Sequence, residues 1–441
     1  MASPRREDRV HSDRQEDQRT KFQRDRDRIL YTSAFRRLAG VTQVVSASEG
    51  HIFHNRLTHT LEVAQIARRI TEKLIRDERP ELVHVIGGLD SEVAESAALA
   101  HDLGHPPFGH IAEDELNKIS SRAGLKDGFE GNAQSFRIVT RLARRSSKFP
   151  GLNLTRATLN GILKYPWSYA SGLHKWGAYH TEQSDFRWAR ALTPGREKSP
   201  EAEIMDWSDD VGYAVHDVED FYRAGFIPLD RLFRDDAEVT RFLDSVYERR
   251  RRQGNQNVYS EKDLATAFQE LRSLFAAIVP ASLLQPYSGT LDQRSALRTL
   301  TSFLIGRYVA AIRLRRPDAK SRKCVSINTA AEQEVHILKQ LAWTYVIENP
   351  SLTTQQYGQR KVVRDLFDIF VHESMASNTT IFPAPYRELI ERAGQNPKKK
   401  DGGRVRAVVD MIAGMTEQAA INMHRRLTGV SLGSVTDIIV R

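Results

Sequence analysis

The chain has 441 residues, with 65 Lys and Arg against 56 Asp and Glu, a net charge of +9, 40% hydrophobic residues and one cysteine. The length supports a sizeable core, as two or three units or one large helical body, while the lone Cys324 excludes an internal disulfide and a cysteine-rich zinc site. No apolar run reaches the roughly 18 residues of a membrane span, and the N-terminus has no signal-peptide apolar region, so a cytoplasmic chain without membrane contact is expected.

Residues 1–28 carry nine Lys and Arg, seven Asp and Glu and little that is apolar beyond Val10 and Phe22, which predicts a disordered or loosely attached arm. From Ile29 the apolar residues Ile29, Leu30, Ala34, Phe35 and Leu38 recur at helical spacing, and a core is expected over 29–245. His59, Val63, Ile66 and Ile70 share one face of a helix predicted over about Asn55–Leu74, which turns His59 inward. Another helix runs from about Ser91, with Glu92 and Glu95 near its start, and stops at Gly104 before Pro106 and Pro107. Further helices are predicted over Asn132–Arg144, Leu154–Leu163, Ser208–Ala224, Ala265–Ile278, Leu291–Leu314, Ala330–Glu348, Gln359–Ser374 and Val405–Arg426. Strand signals are scarce, so the fold is expected to be all-α. The basic run Arg249–Arg252 marks either a connection, drawn at 246–258, or a solvated helix end. Beyond it a helical region, 259–441, is expected to pack on the core, with a polar break at Pro397–Gly403.

The densest chemistry lies in the run from His101 to His110, with three His and one Asp where a helix gives way to a Gly/Pro-rich turn. Adjacent helical side chains diverge by about 100°, so His101 and Asp102 reach one ion only near the end of the helix, which Gly104 supplies. Two further ligands are sought. His59, which alone reads equally as a core histidine, is one candidate; Asp209, on a stripe with Tyr213 and Asp217 at steps of four, is the other. Buried carboxylates need a partner. Two imidazoles and two carboxylates without thiolate suit a divalent ion with open positions, Mn2+ or Mg2+ foremost, with Co2+, Ni2+, Fe2+ or Zn2+ as alternatives.

His59, His101–Asp102 and Asp209 stand in a wider set of motifs: Asp27–Leu30 with Ala34–Leu38, Thr42-Gln43-Val44, Asn55–Thr60, the whole His101–His110 run, Gly128–Gln134, Lys164-Tyr165-Pro166, Asp209–Asp217 and, more loosely, Ala413–Thr416. In these the chain resembles the HD-domain deoxynucleotide triphosphohydrolases, in particular the bacterial dGTPase and dGTPase-like enzymes. The resemblance implies an HD-domain helical core and hydrolysis of a deoxynucleoside triphosphate (dNTP) at the α-phosphorus, releasing deoxynucleoside and inorganic triphosphate. It implies metal ligation by His59, His101, Asp102 and Asp209. It also implies His110 as the catalytic histidine, oriented by Glu113, with His105 facing the same phosphates. Arg56, Lys164 and Lys175 match phosphate contacts, helped by Asn132 and Gln134. Tyr213 resembles an aromatic wall where a 2′-hydroxyl would sit, Asp217 and Gln43 resemble partners of the 3′-hydroxyl, and Val44 lies near base or sugar. A homo-oligomer, a dNTP effector and single-stranded DNA are further expectations by resemblance.

Two departures bear on base selectivity: Val41 stands where many relatives carry Lys, and Trp188–Glu203, with Pro194, Gly195 and Pro200, reads as a variable loop. The metal set alone also fits another HD phosphohydrolase, acting on a nucleoside monophosphate, a cyclic dinucleotide or an alarmone. The basic runs fit a nucleotide-sensing or nucleic-acid-binding assembly.

Overall fold

A computed structural model describes residues 3–12, 17–44, 53–170, 172–253, 259–319, 321–347, 349–395 and 400–434. The end of the expected connection, 254–258, and the lysines at 398 and 399 lie outside the described residues. Helices α1 (Lys21–Leu30), α2 (Ser33–Arg37), α3 (Arg56–Asp77), α4 (Pro80–Val85), α5 (Ser91–Ala100), α6 (His110–Arg122), α7 (Gly131–Arg137), α8 (Arg156–Gly161), α9 (Gln183–Ala189) and α10 (Pro200–Arg223) make the first half. The second half holds α11 (Leu229–Arg234), α12 (Asp236–Gln253), α13 (Glu261–Ile278), α14 (Leu291–Ala310), α15 (Thr329–Ala342), α16 (Pro350–Met375), α17 (Ala384–Gly394), α18 (Lys400–Ala413) and α19 (Glu417–Leu427). The fold is all-α, with one small antiparallel pair of strands, β1 (Ile312–Leu314) and β2 (Val325–Ile327), in register Ile312 to Ile327.

Helices α3, α5 and α10 pack on one another and position the site. The face of α5 is built from Ala94, Ala97, Ala98 and Ala100, all buried, and such short side chains let neighbouring backbones approach closely. Asn55 caps α3 through a capping box with Thr58, and Asp90 caps α5. On α10, Gly212 meets α3: a Cβ there would lie 2.9 Å from Val63 Cγ2 and 3.3 Å from His59 Cε1. The two helices can therefore bring His59 and Asp209 together only because this position has no side chain.

Two hydrophobic cores result. The larger runs from Ile29 to Val346 and so crosses the connection drawn at 246–258. The smaller joins α6, through Ala112, Leu116 and Ile119, to the C-terminal helices through Phe367, Val408, Met411 and Met423. The basic run Arg249–Arg252 is the end of α12, which is the solvated helix-end alternative.

Several expectations are corrected. The arm is not loose in its described part: Phe22, Asp25 and Arg28 on α1 are buried against the body. Asp25 accepts from Thr155 N at 2.8 Å and Thr155 Oγ1 at 2.6 Å and pairs with Arg9 at 2.6 Å, while Arg28 donates to Leu152 O at 3.1 Å. Composition counts charges but does not reveal partners 130 residues away. Helix α10 begins at Pro200 rather than near Ser208, because Ser199 caps it and proline is tolerated in the first turn. Part of the expected 188–203 loop is thus helix. The helix predicted to Leu314 stops at Ala310 and yields to β1, and that predicted over Val405–Arg426 breaks at Gly414, after which Thr416 caps α19. A Cβ on Gly414 would lie 2.5 Å from the Tyr386 hydroxyl.

Candidate active site

The end of α5 and the first turn after it carry His101, Asp102 and His105, buried side by side. The turn is as tight as Gly104 allows: a Cβ there would lie 2.1 Å from Gly131 O and 2.3 Å from Ser135 N. Ser135 Oγ donates to His101 O at 2.8 Å and accepts from Gly104 N at 2.8 Å, tying the turn to α7. Gly104→Ala is therefore expected to destabilise the protein by at least about 3 kcal/mol, since the opposing atoms are backbone, as read by urea denaturation; a loss below about 1 kcal/mol would contradict this packing.

His101 Nδ1 donates to Ala98 O at 2.5 Å, which leaves Nε2 to face the carboxylates of the site. That nitrogen is buried without a hydrogen-bond partner and lies 3.4 Å from both Asp209 Oδ1 and Asp102 Oδ1. His59 Nε2 is 3.0 Å from Asp209 Oδ1. Ligand atoms of His59, His101 and Asp209 all fall within 4.8 Å of one another. His59 on α3 and Asp209 on α10 thus meet His101 at the end of α5, with Asp102 Oδ1 against His101, and two imidazoles with two carboxylates are a donor set that can hold a divalent ion. The electrostatics agree with stored negative charge. Burial opposes ionisation of Asp102, yet Arg56 and His101 hold its carboxyl well below the usual range. Asp209 is likewise held low, against burial, by Lys164 and His101. Burial disfavours the His101 imidazolium, but Asp102 and Asp209 outweigh it and bring the group up to about 9. Burial, with Arg56 nearby, pushes His105 down to about 4.

Cations line the centre. Arg56 Nη1 donates to Asp102 Oδ2 at 2.7 Å, and its buried Nε and Nη2 have no hydrogen-bond partner among the described residues. Lys164 Nζ donates to Asp209 Oδ2 at 2.7 Å and lies 2.9 Å from Asp206 Oδ1. Lys175 Nζ donates to Glu113 Oε1 at 2.8 Å and lies 3.5 Å from Glu130 Oε1. Asp206 also lines a cavity of about 540 Å³ with Arg196 and Lys198 from the segment expected to vary.

Helix α6 starts at Gly109, whose φ of +60° glycine adopts without strain, and presents His110. The His110 side chain is 56% exposed, with Nδ1 2.8 Å from Glu113 Oε2 and its ring against His105 at 5.3 Å. Glu113 also accepts from Gly131 N at 3.1 Å. Tyr213 sets its ring against His59 at a centroid distance of 5.3 Å. Burial and Asp220 hold the Asp217 carboxyl well above the usual range. Gln43 is buried, and neither atom of its amide has a hydrogen-bond partner among the described residues. A buried amide left unpaired is costly, which is the signature of a group awaiting a ligand. Val44 is half-buried against the larger core.

Two sequence expectations fare differently. Asn132 donates to Glu130 Oε1 at 2.7 Å at the edge of the Lys175 network. Gln134 is not brought to the pocket: its amide donates to Asp410 Oδ1 at 3.0 Å, and it lines a separate cavity of about 460 Å³ with Tyr386. Its expected phosphate role is corrected, because α7 turns that side chain toward the C-terminal helices. Sequence reasoning missed Arg37, Glu130, Asp206 and Glu417. Arg37 donates to Leu103 O at 2.7 Å and His105 O at 2.8 Å, holding the turn. Glu417, at the start of α19, accepts from Thr42 N at 2.8 Å and Phe108 N at 3.2 Å. The Ala413–Thr416 motif just ahead of it is the one local signal for that contact.

Residues 56–213 match the HD domain model and residues 325–426 match the phosphohydrolase-associated domain model. Over 433 residues the chain is 36% identical to a deoxyguanosinetriphosphate triphosphohydrolase-like protein of Corynebacterium efficiens, covering 94% of this chain and 93% of the relative. Proteins of the same description from Streptomyces coelicolor (36% over 440 residues; 93% of both chains) and Bifidobacterium longum (33% over 425; 92% of this chain, 82% of the relative) are similar. No helix among the described residues is long and apolar enough to cross a membrane. With the HD domain falling on the three helices that carry the His, His–Asp and Asp donors, the chain belongs to the HD-domain family of deoxyguanosinetriphosphate triphosphohydrolase-like proteins.

Proposed function

We propose that this hydrolase acts on deoxynucleoside triphosphates, dGTP or several of them, at the α-phosphorus. The observation that carries the reading is the convergence of His59, His101 and Asp209, with Asp102 against His101, beside two partner-free groups, the Arg56 guanidinium edge and the Gln43 amide. His59, His101, Asp102 and Asp209 would hold a divalent ion, which when bound polarises a phosphoryl oxygen and lowers the pKa of a coordinated water. Arg56 offers two parallel donors to a phosphate, and Lys164 and Lys175 are released from carboxylates to the triphosphate chain. In the reaction the bond between α-phosphorus and the 5′-oxygen breaks, the water oxygen ends on the triphosphate, and the 5′-oxygen takes a proton. His110, fixed through Nδ1 by Glu113, supplies that proton from Nε2. The neutral His105 hydrogen-bonds the phosphates without adding charge. Tyr213 closes the space a 2′-hydroxyl would need, and Gln43 with Asp217 pairs the 3′-hydroxyl; a built hydrogen-bonding site discriminates more sharply than an apolar wall.

The test is a panel of the four dNTPs, singly and mixed, with Mn2+, Mg2+ or Co2+, and chromatographic detection of products. Inorganic triphosphate and deoxynucleoside in equal amounts are expected. Pyrophosphate or orthophosphate instead would point to another HD phosphohydrolase, and stimulation of one dNTP by a second would reveal an effector site.

A further inference from the structure

We propose that His54, Glu62 and His216 form a second divalent-cation site, of zinc-type chemistry, with Asp220 orienting His54. The site stands apart from the catalytic donors and does not rest on the reading of the substrate. It lies one helical turn away on the same two helices: Glu62 follows His59 on α3, and His216 follows Tyr213 on α10. His54 comes from the residues just before α3.

The three side chains place ligand atoms within 4.8 Å of one another. His216 Nδ1 is 2.9 Å and His54 Nε2 is 3.3 Å from Glu62 Oε2. Tetrahedral zinc with bonds of about 2.0–2.1 Å holds its ligands about 3.3 Å apart, so little movement would admit the ion. The approach of His216 to Glu62 is not directed as a hydrogen bond. His216 Nδ1 and Glu62 Oε2 are both shielded from solvent without a hydrogen-bond partner, on a histidine only 4% exposed. His101 Nε2 shows the same signature in the candidate catalytic centre. His54 Nδ1 lies 2.8 Å from Asp220 Oδ2, so its proton faces a carboxylate and Nε2 is presented as the ligand. A carboxylate behind a ligating histidine is the usual outer partner of zinc ligands. Charge balances as well: two carboxylates and two neutral imidazoles are neutralised by one divalent ion. The Glu62 side chain is 37% exposed, which leaves an entry path and an open fourth position for water.

Bound there, the ion would tie His54, just before α3, and Glu62 on α3 to α10, which carries Tyr213 and Asp217.

The experiment equilibrates the full chain with Zn2+ or Co2+, removes free ion, and measures metal per chain by mass spectrometry. Two ions are expected for the unaltered protein, and one each for Glu62→Gln and His216→Asn. One is also expected for an Asp209→Asn/His101→Ala double variant, which should keep the visible absorption of tetrahedral Co2+ that Glu62→Gln loses. One ion in the unaltered protein, or two in a folded Glu62→Gln, would overturn the proposal, leaving His54, Glu62, His216 and Asp220 as an ion-pair network. Should Glu62→Gln and His216→Asn both fail to fold, the double variant decides, and no ion bound to it refutes the site.

Discussion

His110→Ala should lower kcat by about 10²–10⁴-fold, the range for losing a positioned proton donor, while leaving metal content unchanged. The ring lies on the surface of the site, 56% exposed, and the groups it touches are Glu113 and His105, so its removal disturbs little packing. Because the proton is needed only as the 5′-oxygen leaves, kcat and kcat/KM should fall together with KM nearly constant. Single-turnover hydrolysis of dGTP beside metal analysis checks this. A fall of less than about tenfold would remove His110 from the role of acid. Glu113→Gln should cost less in rate but disturb more structure, because Glu113 also takes Lys175 and Gly131 N.

Arg56→Met is expected to destabilise the metal-free protein by about 3–5 kcal/mol, as does removal of one partner from a buried ion pair. Both side chains are almost fully out of water, Arg56 at 1% and Asp102 at 5%, so Asp102 would lose its main compensating charge and keep the weaker one of His101. A divalent ion on Asp102 supplies the missing positive charge. The loss measured by urea denaturation should accordingly be large in chelator and smaller in excess Mn2+. Equal losses in both conditions would show that Asp102 does not hold an ion. Phosphate binding should fail in either case, since the two partner-free nitrogens of Arg56 go with it.

Much of the site is legible in the sequence, for local reasons. His59 follows from the inward face of α3, and His101 with Asp102 follows from a helix end that Gly104 terminates. Asp209, Tyr213 and Asp217 follow from steps of four on α10. What fails is whatever depends on a distant partner. Gln134 looks like a polar residue of a phosphate turn, but its partner Asp410 lies 276 residues on. Glu417 reaches Thr42 and Phe108 from the opposite end of the chain. The charged arm looks unable to fold because its cations and carboxylates are seen without Thr155, Leu152 and Asn153, to which Arg9, Asp25 and Arg28 are bound.

By itself the sequence determined the all-helical class, the donors without thiolate and the turn that presents them, because helical period, capping and glycine stops act over a few residues. Tertiary structure alone decided which donors share one point, which polar groups remain unpaired, and that α16 and α18 pack against α6. Those outcomes depend on close approach between helices far apart in sequence, such as α3 on α10 at Gly212, where a missing side chain sets a distance that no local pattern encodes.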